Sequence, residues 1–549
     1  MRNRPSAVNP GLTVNALILA VSAFLLIAGN AAFFARVLDS YPLNSSTLLP
    51  LASLGLVFGG ITVLMLAPLC FGWLTRPLLI VVLLLSSAAA YFMDTYGIVI
   101  SDDMLRNAAL TSNAEAFELL TAKLIAYVVL LGVLPSVAVA RIPLRAASGR
   151  SEIFARLRLF GGTLLLVVAT MLAFGGFYAS FLRNHKELRQ HANPLYYLYS
   201  AAKFAGQSMA SGSAEPIRQV GADAAIPASD TTRDLVIMVV GETARADRFS
   251  LNGYARETNP RLKQHDVISL TDFQACGTST AVSVPCMFLS DGEAKGAQTI
   301  RREENVLDVL RHGGVNVLWL DNNSDSKGVA ERVEYRDLKS PANNPVCDSE
   351  CRDEGMLAVI QEYIDRHPQG DILIVLHQMG SHGPAYHRRY PPAFEKFRPA
   401  CKESDLSLCT REEIGNAYDN TILYTDHFLA GAIEVLRQND MRFDTTLLYV
   451  SDHGESLGEN GVYLHGLPKA IAPEAQLRVP AILWFGRGFH QADPQALRRN
   501  SAQRFSHDHV FHTLLGLFEI DSAAYKPEKD LLRTGTTAPA LTAQGPGKR

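Results

Sequence analysis

Leu235-Val236-Ile237-Met238-Val239-Val240-Gly241-Glu242-Thr243 is the stretch that decides the fold. Six apolar residues, half of them valine, run without a polar break into a glycine and a carboxylate. An uninterrupted apolar strand is buried on both faces, as the central strands of parallel sheets are. Four further runs share its character: Val315–Leu320, Asp371–Leu376, Thr446–Val450 and Val479–Trp484. Helical patterns near 303–313, 353–366, 411–437 and 506–518 alternate with them. This alternation predicts an α/β domain with a mostly parallel sheet covered on both faces. In such sheets ligands bind beyond the carboxyl ends of the strands.

Those ends carry the chemistry. The first strand runs into Glu242, the run 446–450 into Ser451-Asp452-His453, and the run 371–376 into His377 and then Gly380-Ser381-His382. The run 315–320 leads into Asp321-Asn322-Asn323-Ser324. A single polar residue at a strand end is usually a turn former. Four sets at one end of a sheet point to a metal, and carboxylates with imidazoles are a natural zinc set. A nucleophile is available in Cys276-Gly-Thr-Ser-Thr-Ala-Val-Ser-Val-Pro-Cys286. A metal bound to a threonine or serine oxygen would favour its alkoxide. Spacing leaves Thr278, Ser279, Thr280 and Ser283 equally eligible.

Outward toward the N-terminus, the chain changes character. Five apolar stretches, 12–35, 46–71, 77–98, 124–140 and 159–182, read as membrane spans, the fourth short and holding Pro135. Basic residues sit before span one (Arg2, Arg4), between spans two and three (Arg76), and before span five (Arg141, Arg145, Arg150, Arg156, Arg158). The bias puts the N-terminus in the cytoplasm and everything after residue 183 outside it. Cysteines agree with this topology. Cys276 with Cys286, Cys347 with Cys351, and Cys401 with Cys409 form three close pairs beyond the spans. Such pairing predicts three local disulfides in an oxidising compartment.

Between spans and sheet, residues 193–204 mix leucine with Tyr196, Tyr197, Tyr199 and Phe204, as an interfacial helix does, and 206–231 reads as a linker. The expected organisation is a membrane domain over 1–183, an interfacial helix and linker over 184–231, a catalytic domain over 232–535 and a disordered tail over 536–549. The whole chain has 549 residues, a net charge of −3 and 48 % hydrophobic residues. That balance excludes a general nucleic-acid binder and a disordered chain.

The order of motifs then becomes specific. Gly241-Glu242-Thr243-Ala244-Arg245, the 276–286 segment, His377-Gln-Met-Gly-Ser-His-Gly-Pro384 and Ser451-Asp-His-Gly-Glu-Ser456 resemble those of the phosphoethanolamine transferases, most closely the lipid A enzymes and their mobile colistin-resistance type. The resemblance spans nearly the whole chain. It implies five spans and a periplasmic alkaline-phosphatase-like domain in the bacterial inner membrane. It also implies a monomer that uses phosphatidylethanolamine as donor and lipid A as acceptor.

Matched by position, the resemblance makes Thr280 the nucleophile and Glu242, Asp452 and His453 its companion zinc ligands. It places Ser324, Lys327, His377, His382 and His465 around the phosphoryl group, with a second zinc held by histidines such as His382 and His465. Asn107, Thr111 and Glu115 match residues that bind the lipid substrate, and their i, i+4, i+8 spacing predicts one helix face. Transfer to a core sugar, periplasmic glucan or protein is the nearest alternative. A phosphatase or sulfatase-type hydrolase is more distant. His507, His509, His512 and the polar face of 416–426 read as structural, and His387-Arg388-Arg389 as a solvated basic loop.

Overall fold

The computed structural model describes residues 11–533, apart from 112, 146–148, 186–187 and 212–215. The expected tail lies outside the described residues. The chain forms two compact units, one of residues 1–210 with 458–471, the other of 211–457 with 472–549.

Among the described residues of the first unit, four helical stretches are long and apolar enough to cross a membrane: Leu48–Leu66, Gly72–Tyr96, Ala122–Arg141 and Gly149–Ala173. A bent pair, Val14–Ala28 and Ala31–Ser40, makes a fifth if counted as one span. The expected first span is therefore broken, with a bend of 58°. Backbone groups freed at such a break need partners away from water. Asn30 Nδ2 donates to Leu25 O at 2.8 Å and to Asn193 O at 2.6 Å. Asn193 answers, its N–H to Asn30 Oδ1 at 2.9 Å and its Nδ2 to Gly29 O and Ser86 O, each at 2.9 Å.

Pro135 is tolerated because the helix is already loosened ahead of it by a π-helical segment over Val128–Val133. The fifth apolar helix starts at Gly149, ten residues earlier than expected. Helix Leu195–Ser211 covers the expected interfacial stretch and the first part of the expected linker. Its aromatics differ: Tyr197 is buried with its hydroxyl 3.2 Å from Ser86 Oγ, whereas Tyr199 is exposed.

One segment departs from the expected organisation. Residues 458–471, drawn as part of a continuous catalytic domain, group with the first unit. There Gly97, left-handed at φ 67°, ends helix Gly72–Tyr96, and a Cβ on it would stand 2.8 Å from Gly461 O.

The second unit is built on an eight-stranded sheet. Its strands are β1 (Asp234–Gly241), β2 (Ile268–Gln274), β3 (Asn316–Asp321), β4 (Glu334–Asp337), β5 (Ile372–His377), β6 (Asp444–Ser451), β7 (Arg478–Phe485) and β8 (Arg504–Ser506). Their order is β8-β2-β7-β6-β1-β5-β3-β4, and β7 alone runs antiparallel to its neighbours. The five expected strands are present. The sequence reading missed β2, β4 and β8, which lack a long apolar run.

All eight residues of β1 are buried. Val236, Met238 and Val240 join a core with Val284, Met287 and Phe288 of helix Thr280–Phe288, Leu307 of helix Val306–His312 and Phe511 of helix Asp508–Leu517. The alternate residues Leu235, Ile237 and Val239 fill the opposite face. Helix Arg411–Asn439, opened by a reciprocal cap between Thr410 and Glu413, packs on β6 and β1.

The cysteines pair as expected, and all three bonds lie in the second unit. Cys276 is bonded to Cys286, Cys347 to Cys351, and Cys401 to Cys409. Cys347 and Cys351 face each other across an isolated antiparallel bridge, and the Cys351 carbonyl accepts from Asn322 Nδ2 at 3.1 Å. Cys409 directly precedes Thr410, the cap of helix Arg411–Asn439, and the Cys401 N–H donates to Glu413 O in that helix at 2.9 Å. Cys70 is unpaired and buried.

Candidate functional site

Register brings the strand ends level. Val240 pairs with His377, Gly241 with Ser451, and Asp321 with His377. Adjacent strands lie about 4.8 Å apart, so the residues just past level ends can meet. Glu242, Asp452 and His453 do so, each offering a ligand atom within 4.8 Å of the others, and all three are buried.

Thr280 completes the group. The Cys276–Cys286 disulfide closes the loop from which helix Thr280–Phe288 starts, so Thr280 is its first residue. Its hydroxyl lies 3.1 and 3.4 Å from the two Glu242 oxygens and 3.4 Å from His453 Nε2. A helix N-terminus carries partial positive charge and free N–H groups, which favour an alkoxide or a phosphoryl oxygen beside it. Ser279 is the N-cap, Ser283 Oγ accepts from Gly277 N–H at 3.2 Å, and neither contacts the carboxylates as Thr280 does.

The ligand atoms are held from behind. His453 Nδ1 is 2.9 Å from Gly454 O, which fixes the N–H there and turns the Nε2 lone pair toward the cluster. Asp452 Oδ1 accepts N–H bonds from Thr243 at 3.1 Å and His453 at 2.7 Å. Asp452 Oδ2 is buried with no hydrogen bond. Burial, then the neighbouring Glu242 carboxylate, pushes Asp452 up to about 6. An orphaned buried oxygen among two carboxylates and an imidazole suits a divalent metal, which would relieve that repulsion. These residues therefore fit a metal ion.

Three supports were not foreseen. Asn323 Nδ2 donates to Glu242 Oε2 at 2.7 Å and to Gln378 O at 2.7 Å. The convergence of a fourth strand at the same sheet end was its only signal. Thr243 adopts a left-handed φ of 58°, costly for a β-branched residue by about 1–3 kcal/mol. Its N–H to Asp452 and the 2.7 Å bond from Tyr418 Oη to its carbonyl hold it there. Its hydroxyl also donates to Glu242. Asp353, buried, accepts from Asn322 Nδ2, Met379 N and Gly380 N at 2.8, 2.9 and 3.1 Å, and so ties two strand-end loops together. Gly380 must be glycine, because a Cβ would stand 2.9 Å from Glu242 O.

His377 is buried at the end of β5, with Nδ1 2.9 Å from Asp321 Oδ2. Burial opposes a charge on it, but Asp321 and then Glu242 and Asp452 raise its pKa above the ordinary value. Lys327 lies in the turn after β3, its Nζ donating to Ser324 O at 2.6 Å. His382 is half-buried, its carbonyl bonded by Arg389 Nε at 2.7 Å.

His465 lies in the segment 458–471 that groups with the first unit. Asn107 and Thr111 are also there, and the predicted single helix face is not. Helix Asp102–Leu110 ends at Thr111, whose hydroxyl caps Asn107 O at 2.8 Å, and a separate helix covers Asn113–Glu118. A hydroxyl that bonds its own backbone competes with helix continuation. Glu115 is on that second helix, but its side chain lies outside the described residues.

Other polar groups proved structural. His507 accepts from Cys276 N at 3.1 Å and reaches Ser451 O at 3.0 Å, bridging the disulfide loop to β6. Asp419 takes Arg248 and Arg256, and Asp426 caps two backbone N–H groups at 2.9 Å. The basic loop is not solvated throughout: Arg389 is buried and paired with Glu350 at 2.6 Å.

Residues 58–209 match the family model for phosphoethanolamine transferase EptA/EptB, and residues 234–520 match the sulfatase model. The chain is 39 % identical to phosphoethanolamine transferase EptA of Escherichia coli K12, over 96 % of this chain and 97 % of that protein. It is 40 % identical to phosphatidylethanolamine transferase Mcr-1 of Escherichia coli, over 94 % of this chain and 97 % of the other. The integral membrane lipooligosaccharide phosphoethanolamine transferase A of Neisseria meningitidis superposes with a TM-score of 0.91 at 34 % identity, covering 95 % of this chain and 99 % of that one.

Proposed function

This chain belongs to the phosphoethanolamine transferase family, and from that premise we propose that it moves phosphoethanolamine from phosphatidylethanolamine to a phosphate of lipid A through Thr280. The observation that carries the reading is the Thr280 hydroxyl, buried at a helix N-terminus and in reach of Glu242 and His453.

Glu242, Thr280, Asp452 and His453 would hold a zinc ion, with a second ion on histidines such as His382 and His465. Bound zinc would lower the pKa of the threonine hydroxyl and offset negative charge at phosphorus. Thr280 oxygen, its proton removed, attacks the phosphorus of the donor phosphodiester in line. The bond from phosphorus to the glycerol oxygen breaks, and diacylglycerol leaves after taking a proton. His382 and His465 are the residues assigned to proton transfer. Phosphoethanolamine is then esterified to Thr280 until a lipid A phosphate oxygen displaces it, which gives ping-pong kinetics.

Lys327, Ser324 and His377 are assigned to the phosphoryl oxygens, and Asn107, Thr111 and Glu115 to the lipid. The spans and their basic loops support an inner-membrane enzyme with the second unit in the periplasm, where disulfides are stable. Confining enzyme and lipid substrates to one surface raises their effective concentration. An added amine makes the lipid A surface less negative, so cationic polymyxins bind it less.

The test is expression in a polymyxin-sensitive Gram-negative host, with lipid A weighed by mass spectrometry. A phosphoethanolamine increment with the wild type, absent with Thr280→Ala, is expected. Unmodified lipid A from well-expressed wild type would overturn the acceptor, and core sugars and glucans would then be weighed for the same increment. An increment from Thr280→Ala would overturn the nucleophile.

A further inference from the structure

Three adjacent parallel strands, β5, β1 and β6, begin at an aspartate: Asp371 just before β5, Asp234 and Asp444 as first residues of the others. This is the amino end of the sheet, where β1 is entered, opposite the end that leads to Glu242. Each has a polar neighbour. Asp371 Oδ1 accepts the Asp234 N–H at 2.9 Å, and Asp444 stands 2.9 Å from His490 Nδ1.

Asp234 is the most buried of the three. The residue is 1 % exposed, Gln491 Nε2 donates to its Oδ1 at 2.8 Å, and its Oδ2 is buried with no hydrogen bond. Ligand oxygens of Asp230, Asp234 and Glu519 all lie within 4.8 Å of one another. Glu519 Oε2 is likewise buried without a hydrogen bond. Asp230 Oδ1 is occupied by the amide and hydroxyl of Thr232 at 3.0 and 3.1 Å. Arg233, next in the chain, turns its guanidinium to Gly370 O and His367 O instead. Gathered carboxylates with orphaned buried oxygens are strongly unfavourable unless something positive joins them. The same signature, an orphaned oxygen on a buried aspartate, marks Asp452 in the catalytic cluster.

We propose that Asp230, Asp234 and Glu519 form a second cation site, at the amino end of β1, for a hard divalent ion of calcium type. The donors are carboxylate oxygens alone, with neither imidazole nor thiolate among the three, so calcium or magnesium suits them better than zinc. Asp230 lies on the segment that enters β1, and Glu519 follows the helix Asp508–Leu517. Ala225 and Asp521 already bridge the same two segments. The ion would fasten the segment that enters β1 to the end of helix Asp508–Leu517. Burial, then Asp371, Asp230, Asp444 and Glu519, push Asp234 up to about 9.

The experiment uses the full chain in detergent, stripped with chelator and reloaded with zinc. Equilibrium dialysis against radioactive calcium, with magnesium as competitor, is read beside the unfolding midpoint. Wild type is expected to bind one calcium and to gain about 3 °C or more at saturation. Asp234→Asn and Glu519→Gln should lose both responses while still modifying lipid in cells, and Glu242→Gln should keep both. Three results would each overturn the site: no calcium bound by wild type, equal binding by both amino-end variants, or loss of binding in Glu242→Gln. Calcium binding is read without reference to transfer, so failure here leaves the transfer reading standing.

Discussion

The sheet of the second unit gathers carboxylates at both of its ends, and the two sets are unalike. At the carboxyl ends, Glu242 and Asp452 share their space with His453 and with a threonine hydroxyl delivered by a helix N-terminus. At the amino ends, Asp234 has carboxylates and an amide for neighbours. Both hold an orphaned aspartate oxygen. What separates them is the company: nitrogen and a nucleophile at one end suit a Lewis acid that does chemistry, and oxygen alone at the other suits an ion that only fastens chain to chain.

Substitutions can break this contrast. The largest effect is expected for Thr280→Ala, with transfer falling by about 1,000-fold or more while the unfolding midpoint stays near wild type, because only the nucleophile is lost. Asp234→Asn at the other end should do the reverse. Asp452→Asn comes next: zinc by elemental analysis should fall by one equivalent, activity should fall with it, and added zinc should not restore it. Chelation of the wild type should abolish transfer, and zinc should return it.

A smaller loss, about 10- to 100-fold in activity or metal affinity, is expected for Asn323→Ala, which frees Glu242 Oε2 to rotate. Asn323→Asp would put a third acid beside Glu242 and should change the metal preference as well as the rate.

The smallest effect serves as a control away from both sets. Burial, with Lys526 and Lys529 beside it, lowers His512 to about 4, and its Nδ1 accepts the Lys526 N–H at 3.1 Å. The unfolded chain then binds the extra proton first, below about pH 6.5. Stability is whole above that pH and declines as pH falls toward 4, by about 1–2 kcal/mol after allowance for solvent screening. His512→Asn keeps an acceptor at the Nδ1 position and should flatten that decline in a thermal-unfolding series.

The strands were readable because a buried parallel strand must be apolar on both faces. β1, β5 and β6 therefore announced themselves, and their register carried Glu242 and Asp452 to one level, with His377 beside Val240. β2, with partly exposed positions, and the short β4 and β8 gave no such run. Spacing left Thr280 as one of four hydroxyls, since no spacing rule says which residue begins a helix, and only the motif resemblance singled it out. The same strands begin at aspartates, at the end of the sheet opposite to the one where ligands of parallel sheets bind.

In the first unit the apolar runs were plain and their interruptions were not. Asn30 and Asn193 are 163 residues apart, and only folding lets each supply the bonds the other's backbone lacks. The break at Thr111 and the grouping of 458–471 with the first unit are of the same kind.

Composition and periodicity by themselves determined that this chain has membrane-length helices, a parallel α/β sheet and paired cysteines, because burial of apolar surface is a local property of residue type. Which atoms meet was decided only by the tertiary structure. Hydrogen bonds and metal ligation act over about 3 Å between residues far apart in the chain, so Thr280 beside Glu242, Asn323 behind it and Asp234 beside Glu519 exist only once the sheet has brought its strands into register.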